Sequence, residues 1–149
     1  MQTTGLSGVN HMIVKDTNKE RIRMLFEQVL NPGNAGLPDD IISGDYVDHN
    51  PVPGQAPGAE GIRNKLKSLR EAFPDIRFLL EDLVAGNDLV AARYHWKATQ
   101  KGSFMGLPPT GNQVDVKGMD FYRLRDGKLV EHWDSVDQPG LMQQLGLIH

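Results

Sequence analysis

QVDVKGMDFYRLRDGKLVEHWDSV, residues 113–136, carries the alternation that decides the fold. Val114, Val116, Gly118, Asp120 and Tyr122 fall on one side of a strand of period two. A second alternating run, Leu129 to Val136, follows Arg125-Asp126-Gly127-Lys128. An Asp-Gly pair between two such runs signals a hairpin. If Arg125-Asp126-Gly127 is a three-residue loop with Gly127 left-handed, Leu124 faces Lys128. Gly118, Asp120, Tyr122, His132 and Asp134 then share one face. A two-residue turn centred on Asp126-Gly127 shifts the pairing by one and separates Asp120 from Asp134, because a one-residue slip reverses every side chain. The tripeptide favours the longer loop, since only its last residue must take positive φ.

Working outward, Leu89 to Thr99 reads as a long strand with Val90, Ala92, Tyr94, Trp96 and Ala98 on one face. Gly86-Asn87-Asp88 is a turn, and Ile76, Phe78 and Leu80 begin the strand before it. Gln100 to Asn112 is a loop rich in glycine and proline. Two amphipathic helices precede the strands. The first spans about Thr17 to Leu30, with Thr17 and Glu20 as a capping box and Ile22, Leu25, Phe26 and Val29 on its apolar face. The second spans about Ala59 to Phe73, with Ile62, Leu66, Leu69 and Phe73 apolar. Arg63, Lys65, Lys67, Arg70 and Glu71 read as its solvated face. Leu37 to Ile42 can form a short helix, Asp45 to Pro51 is extended, and Gln138 to Leu145 can form a last helix. Helices followed by a meander indicate α+β. A twisted sheet curling around its helices leaves a concave, mostly apolar space of the kind that binds small molecules. Residues 1–16 read as a leader and 17–149 as one domain.

Composition narrows the function. At 149 residues and 39% hydrophobic, one domain can bury a full core without staples. The absence of cysteine excludes disulfides, thiolate metal sites and thiol nucleophiles. A net charge of −3 argues against nucleic acid, which needs a basic patch. No apolar run approaches the roughly 20 residues that span a bilayer, so no membrane partner and a cytoplasmic location are expected. There is no Gly-rich phosphate loop, no nucleophile elbow and no histidine pair at helical metal spacing. His11, His49, His95, His132 and His149 are scattered. Three on separate strands could converge on a metal, but no local ligand pair seeds a site, and none is expected.

Carboxylates on an apolar concave face lose hydration, which raises their pKa toward the range useful for proton transfer. Two close together titrate as a pair, one holding the proton. The alternative is that this face meets solvent and the acids merely decorate it.

Several segments together resemble the SnoaL-like polyketide cyclase family. They are Phe104-Met105-Gly106-Leu107-Pro108-Pro109-Thr110-Gly111, Asp120-Phe121-Tyr122-Arg123, Asp126-Gly127-Lys128-Leu129-Val130 and Glu131-His132-Trp133-Asp134. Tyr46-Val47-Asp48-His49-Asn50-Pro51 upstream and Gln138-Pro139-Gly140-Leu141 downstream fit the same pattern. The resemblance covers about Asn18 to Gly146. It implies a cone-shaped α+β barrel of the nuclear transport factor superfamily, a curved antiparallel sheet wrapped around N-terminal helices over a pocket. It also implies an intramolecular aldol-type ring closure that needs neither metal nor organic cofactor, with Asp134 as the general acid/base. Family members place a histidine near His49, and Asp120 stands where another family histidine lies.

On this reading Asp134 removes a proton alpha to a carbonyl and returns it to the developing alkoxide. His49 and Asp120 hold the carbonyl oxygens. Tyr122, His132 and Trp96 line the cavity around a small hydrophobic carbonyl ligand. Glu131 points to the opposite face and reads as structural. An isomerase, dehydratase or hydrolase on the same carboxylate, or a binding domain without turnover, is the alternative. Family barrels pair through the outer sheet face, and this chain has apolar residues on both sides of its strands, Leu89 and Ala91 against Val90 and Ala92. A homodimer or homotetramer is therefore expected.

Overall fold

Strand alternation and one exposed turn after another build the sheet. A computed structural model describes residues 17–32 and 40–148. Strands β2 (Arg77–Gly86), β3 (Leu89–Thr99), β4 (Gln113–Arg125) and β5 (Lys128–Val136) form an antiparallel meander. Strand β1 (Ile42–Asp48) joins at the far edge, parallel to β5, giving the order β1-β5-β4-β3-β2. The sequence gives no sign of the parallel edge, because a strand separated from its partner by one helix and three strands leaves no local pairing signal. Val90, Ala92, Tyr94, Trp96 and Ala98 are all buried, as the alternation of β3 requires.

Helix α1 covers residues 17–30, and its second half, Leu25–Leu30, is a π-helix closed by the Asn31 amide donating to the Phe26 carbonyl at 3.0 Å. Helix α2 is Gly58–Ala72, and helix α3 is Gln138–Gln144, capped by the Asp137 carboxylate accepting from Gly140 N–H at 2.9 Å. Thr17 already lies within α1, and Glu20 meets Arg23 at 3.4 Å.

The helices pack on the concave face. Phe26 lies against Phe78 and Tyr94, with ring centroids 6.1 and 5.4 Å apart, and Phe73 against Trp96 and Phe104, both at 5.2 Å. Full burial of each such side chain contributes about 1.5–3 kcal/mol. Asn31 fastens α1 to the sheet, since its amide accepts from Phe78 N–H at 2.6 Å and donates to the Phe78 carbonyl at 2.9 Å.

The hairpin differs from the three-residue loop expected. Asp126 (φ 53°) and Gly127 (φ 76°) are both left-handed, and Arg125 pairs with Lys128 across a two-residue turn. Aspartate tolerates this conformation, and the turn's twist matches that of the flanking strands. The pairing then slips between Leu124↔Leu129 and Arg123↔Glu131, leaving Val130 as an extra residue in β5. The bulge adds a second one-residue shift to that of the turn, and two shifts restore the face. Asp120 pairs with Asp134 and Tyr122 with His132, so the shared face is the one expected, while the partners differ by two residues from those of the longer loop. Leu129 and Val130 are both buried, the sequence mark of that bulge.

The short helix expected over Leu37 to Ile42 is absent at its end, where Ile42 opens β1 opposite Leu129; residues 37–39 lie outside those described. The leader expected over residues 1–16, together with His11 and His149, also lies outside them. Among the described residues no helix is long and apolar enough to cross a membrane.

Candidate active site

The concave face of β4 and β5 gathers three aspartates, one histidine and one lysine from four elements. Asp120 on β4 is buried, and three donors converge on it. Tyr94 and Tyr122 donate their hydroxyls at 3.0 and 2.9 Å, and His132 approaches through Nε2 at 3.0 Å. The His132 ring also stacks on Tyr122, with centroids 4.9 Å apart.

Strand β1 supplies the next carboxylate. Asp48 pairs with His132 in the parallel ladder, so its side chain enters the same face. It accepts from Asn50 N–H at 3.0 Å and from the Gln55 amide at 2.9 Å, and its Oδ1 stands 3.7 Å from His132 Nδ1. Asn50 is bound in turn, because its side-chain oxygen accepts from Asp134 N–H at 2.9 Å. Lys65 reaches in from α2. Its ammonium lies 3.3 Å from Asp134 Oδ2 and 3.8 Å from Asp48 Oδ2.

Burial, the largest influence on His132, would lower its pKa. The hydrogen bond to Asp120, the Asp48 carboxylate beside Nδ1, and the charges of Asp120 and Asp134 outweigh it and raise the pKa to about 9. The ring is an imidazolium at neutral pH, with a proton on each nitrogen. Burial likewise works to raise the pKa of Asp48, but His132, Gln55, the Asn50 amide and Lys65 hold it well below the usual carboxylate range. Desolvation, reinforced by the neighbouring aspartates, pushes the Tyr46, Tyr94 and Tyr122 phenols far up, so they act as neutral donors.

The site residues expected from the sequence fall into two groups. Asp134, Asp120, His132 and Tyr122 come together. His49 does not join them, because it follows Asp48 in β1 and projects to the opposite, outer face. There it lies 2.8 Å from Glu131 and stacks on Trp133 at 4.5 Å. Trp96 is core rather than site: it packs on Phe73, four residues along β3 from the Ala92 that pairs with Asp120, about 13 Å away at strand rise. Asp120 is buried and already faces three protein donors, and it holds the histidine and the two phenols in place. Asp134, expected as a desolvated acid paired with Asp120, has a side chain 18% exposed and an ammonium beside it.

Asp48 and Lys65 were missed. Asp48 sits two residues after the buried Tyr46, and that step of two was the signal for it. By its charge Lys65 reads as part of a solvated face, yet it falls three residues after Ile62, at the edge of the apolar stripe. Asp134 is the carboxylate left with the fewest partners and the most access, flanked by a fixed cation. Such an arrangement can take up and return a proton beside an electropositive group.

Comparison with known proteins agrees with this architecture. The model of the SnoaL-like polyketide cyclase family matches residues 20–145. The aklanonic acid methyl ester cyclase DnrD of Streptomyces peucetius is 25% identical over 131 residues, covering 82% of this chain and 88% of DnrD. DauD of Streptomyces sp. strain C5, with the same activity in its name, is 28% identical over 82% of this chain and 80% of its own. Among solved structures, IdmH of Streptomyces antibioticus superposes with a TM-score of 0.74 at 31% identity, covering 87% of this chain and 98% of IdmH.

Proposed function

Because this chain belongs to the SnoaL-like polyketide cyclase family, we propose that it closes a ring in a small hydrophobic carbonyl compound by acid/base catalysis, with Asp134 as the proton acceptor and donor. The observation that carries the reading is the position of Asp134. It lies on the concave face, partly open, with Lys65 at 3.3 Å and its strand fixed through Asn50.

Asp134 abstracts a proton from the carbon alpha to a carbonyl. The enolate carbon attacks a second carbonyl of the same molecule, a C–C bond forms, and the proton passes from Asp134 to the new alkoxide. No redox change or leaving group is involved, so the chain's own residues suffice and no cofactor is needed. The imidazolium of His132 and the ammonium of Lys65 stabilise negative charge as it moves onto the carbonyl oxygens. Tyr46 and Tyr122 shape the wall and limit water.

The substrate class we propose is a polyketide methyl ester, after the family and the aklanonic acid methyl ester in the names of the two related cyclases. Incubation with aklanonic acid methyl ester tests it. Ring closure, or solvent deuterium entering the position alpha to the ketone, supports acid/base turnover. Binding with neither outcome would reduce the protein to a ligand carrier. Deuterium exchange without closure would favour the isomerase or dehydratase alternative on the same carboxylate.

The outer sheet face carries Met119 and Phe121, 60% and 50% exposed, next to the Leu89 and Ala91 side of β3. We propose that a second copy of the chain covers it, since unpaired apolar surface of this kind marks an interface.

A further inference from the structure

We propose that the Lys65 ammonium is the resident cation of a metal-like triad formed by Asp48, His132 and Asp134. One ligand atom from each of these three residues can be chosen so that all lie within 4.8 Å of one another. Two carboxylates and an imidazole at that spacing form a donor set suited to a divalent ion, which would displace the Nδ1 proton of His132 on binding. A second observation points to the same spot. His132 Nδ1 is the one buried side-chain nitrogen or oxygen without a hydrogen-bond partner among the described residues, and it is directed at Asp48.

The space between the two carboxylates is taken by the chain itself. Lys65 Nζ reaches Asp134 Oδ2 at 3.3 Å and Asp48 Oδ2 at 3.8 Å, while His132 addresses the other oxygen of Asp48. A tethered ammonium competes with free ions at high effective concentration. It brings one charge where a metal would bring two. That charge balances the carboxylates without locking Asp134 into coordination, so the acid stays free to exchange a proton. The inference deepens the proposed role of Asp134 by naming its positioning partner, and it is tested without turnover.

Lys65→Met removes the ammonium and keeps an unbranched aliphatic stem. Mn²⁺ titration followed by electron paramagnetic resonance, with thermal melts in parallel, reads the outcome. Wild type should show no saturable site and no change in Tm. K65M should melt lower than wild type, bind one Mn²⁺ per chain and regain several degrees of Tm when it is bound. The double variant K65M/D134N should lose the Mn²⁺ site and recover Tm without metal. Equal Mn²⁺ binding by wild type and K65M would overturn the proposal, as would a folded K65M that ignores Mn²⁺. If K65M does not fold alone, refolding with Mn²⁺ or in the D134N background supports the charge-balancing role, and failure of both overturns it. Loss of ring closure in wild type would leave these results standing, so the two readings fail separately.

Discussion

Gly118 on β4 lies directly across from Tyr94 on β3, and its missing side chain is what lets the Tyr94 hydroxyl reach Asp120. A Cβ at Gly118 would come within 2.6 Å of both the ring carbon Cζ and the hydroxyl. The phenol would have to leave Asp120, removing one of its three donors.

Gly118→Ala should therefore destabilise the fold by about 1–3 kcal/mol, the usual cost of overpacking a core. Urea denaturation measures it. In a Tyr94→Leu background the same substitution should cost clearly less, because the colliding group is gone. An unchanged cost there would mean that the strand, and not Tyr94, resists the methyl group.

Asp134→Asn should lower turnover of a cognate substrate by about 10²–10⁴-fold, the usual contribution of one positioned acid/base group. Affinity and Tm should change far less, since the amide keeps the shape. Steady-state kinetics with a parallel melt separates these effects. Wild-type kcat in the variant would reduce Asp134 to a polar wall group.

His132 gives the fold a pH dependence whose sign is set by its raised pKa. Protonated and enclosed by Asp120, Asp48 and Asp134, with Lys65 beyond them, it adds stability that is fully present below its ordinary value of 6.5. That stability disappears as pH rises through about 9. The shift corresponds to at most about 3 kcal/mol. Asp48, with its pKa held down, contributes in the opposite sense: its share is present above 3.8 and is lost as pH falls toward its lowered value. Unfolding free energies from pH 6 to 10 should fall on the alkaline side, and His132→Gln should flatten that slope.

His49→Ala should leave turnover nearly unchanged. The ring pairs with Glu131 and stacks on Trp133 outside the concave face, and an exposed pair of this kind is worth about 1 kcal/mol or less. A loss of kcat comparable with that of the Asp134 variant would require the outer face to communicate with the site.

Sedimentation velocity should find a dimer or tetramer, and Phe121→Glu should shift it toward monomer by placing charge on the exposed outer face. A wild-type monomer at micromolar concentration would refute the proposed self-association.

The sequence by itself determined the meander, α2 to within a residue at each end and the sharing of one face by Asp120, Tyr122, His132 and Asp134. These follow from periodicity, which each segment carries in its own residues: period two exposes and buries β3 and β4 in turn, whatever lies beside them. The shared face was nonetheless reached through the wrong loop, because the two-residue turn and the Val130 bulge each shift the register by one, and two slips leave the same face as none. Only the tertiary structure decided which of Asp48 and His49 faces the site. Adjacent strand residues point oppositely, and the choice between them rests on the register of β1 against β5, a pairing between segments some eighty residues apart. The same is true of Lys65, whose charge argued for solvent until the sheet placed two carboxylates under its helix. Burial of a cation depends on the partner brought to it, and that partner is set by the fold.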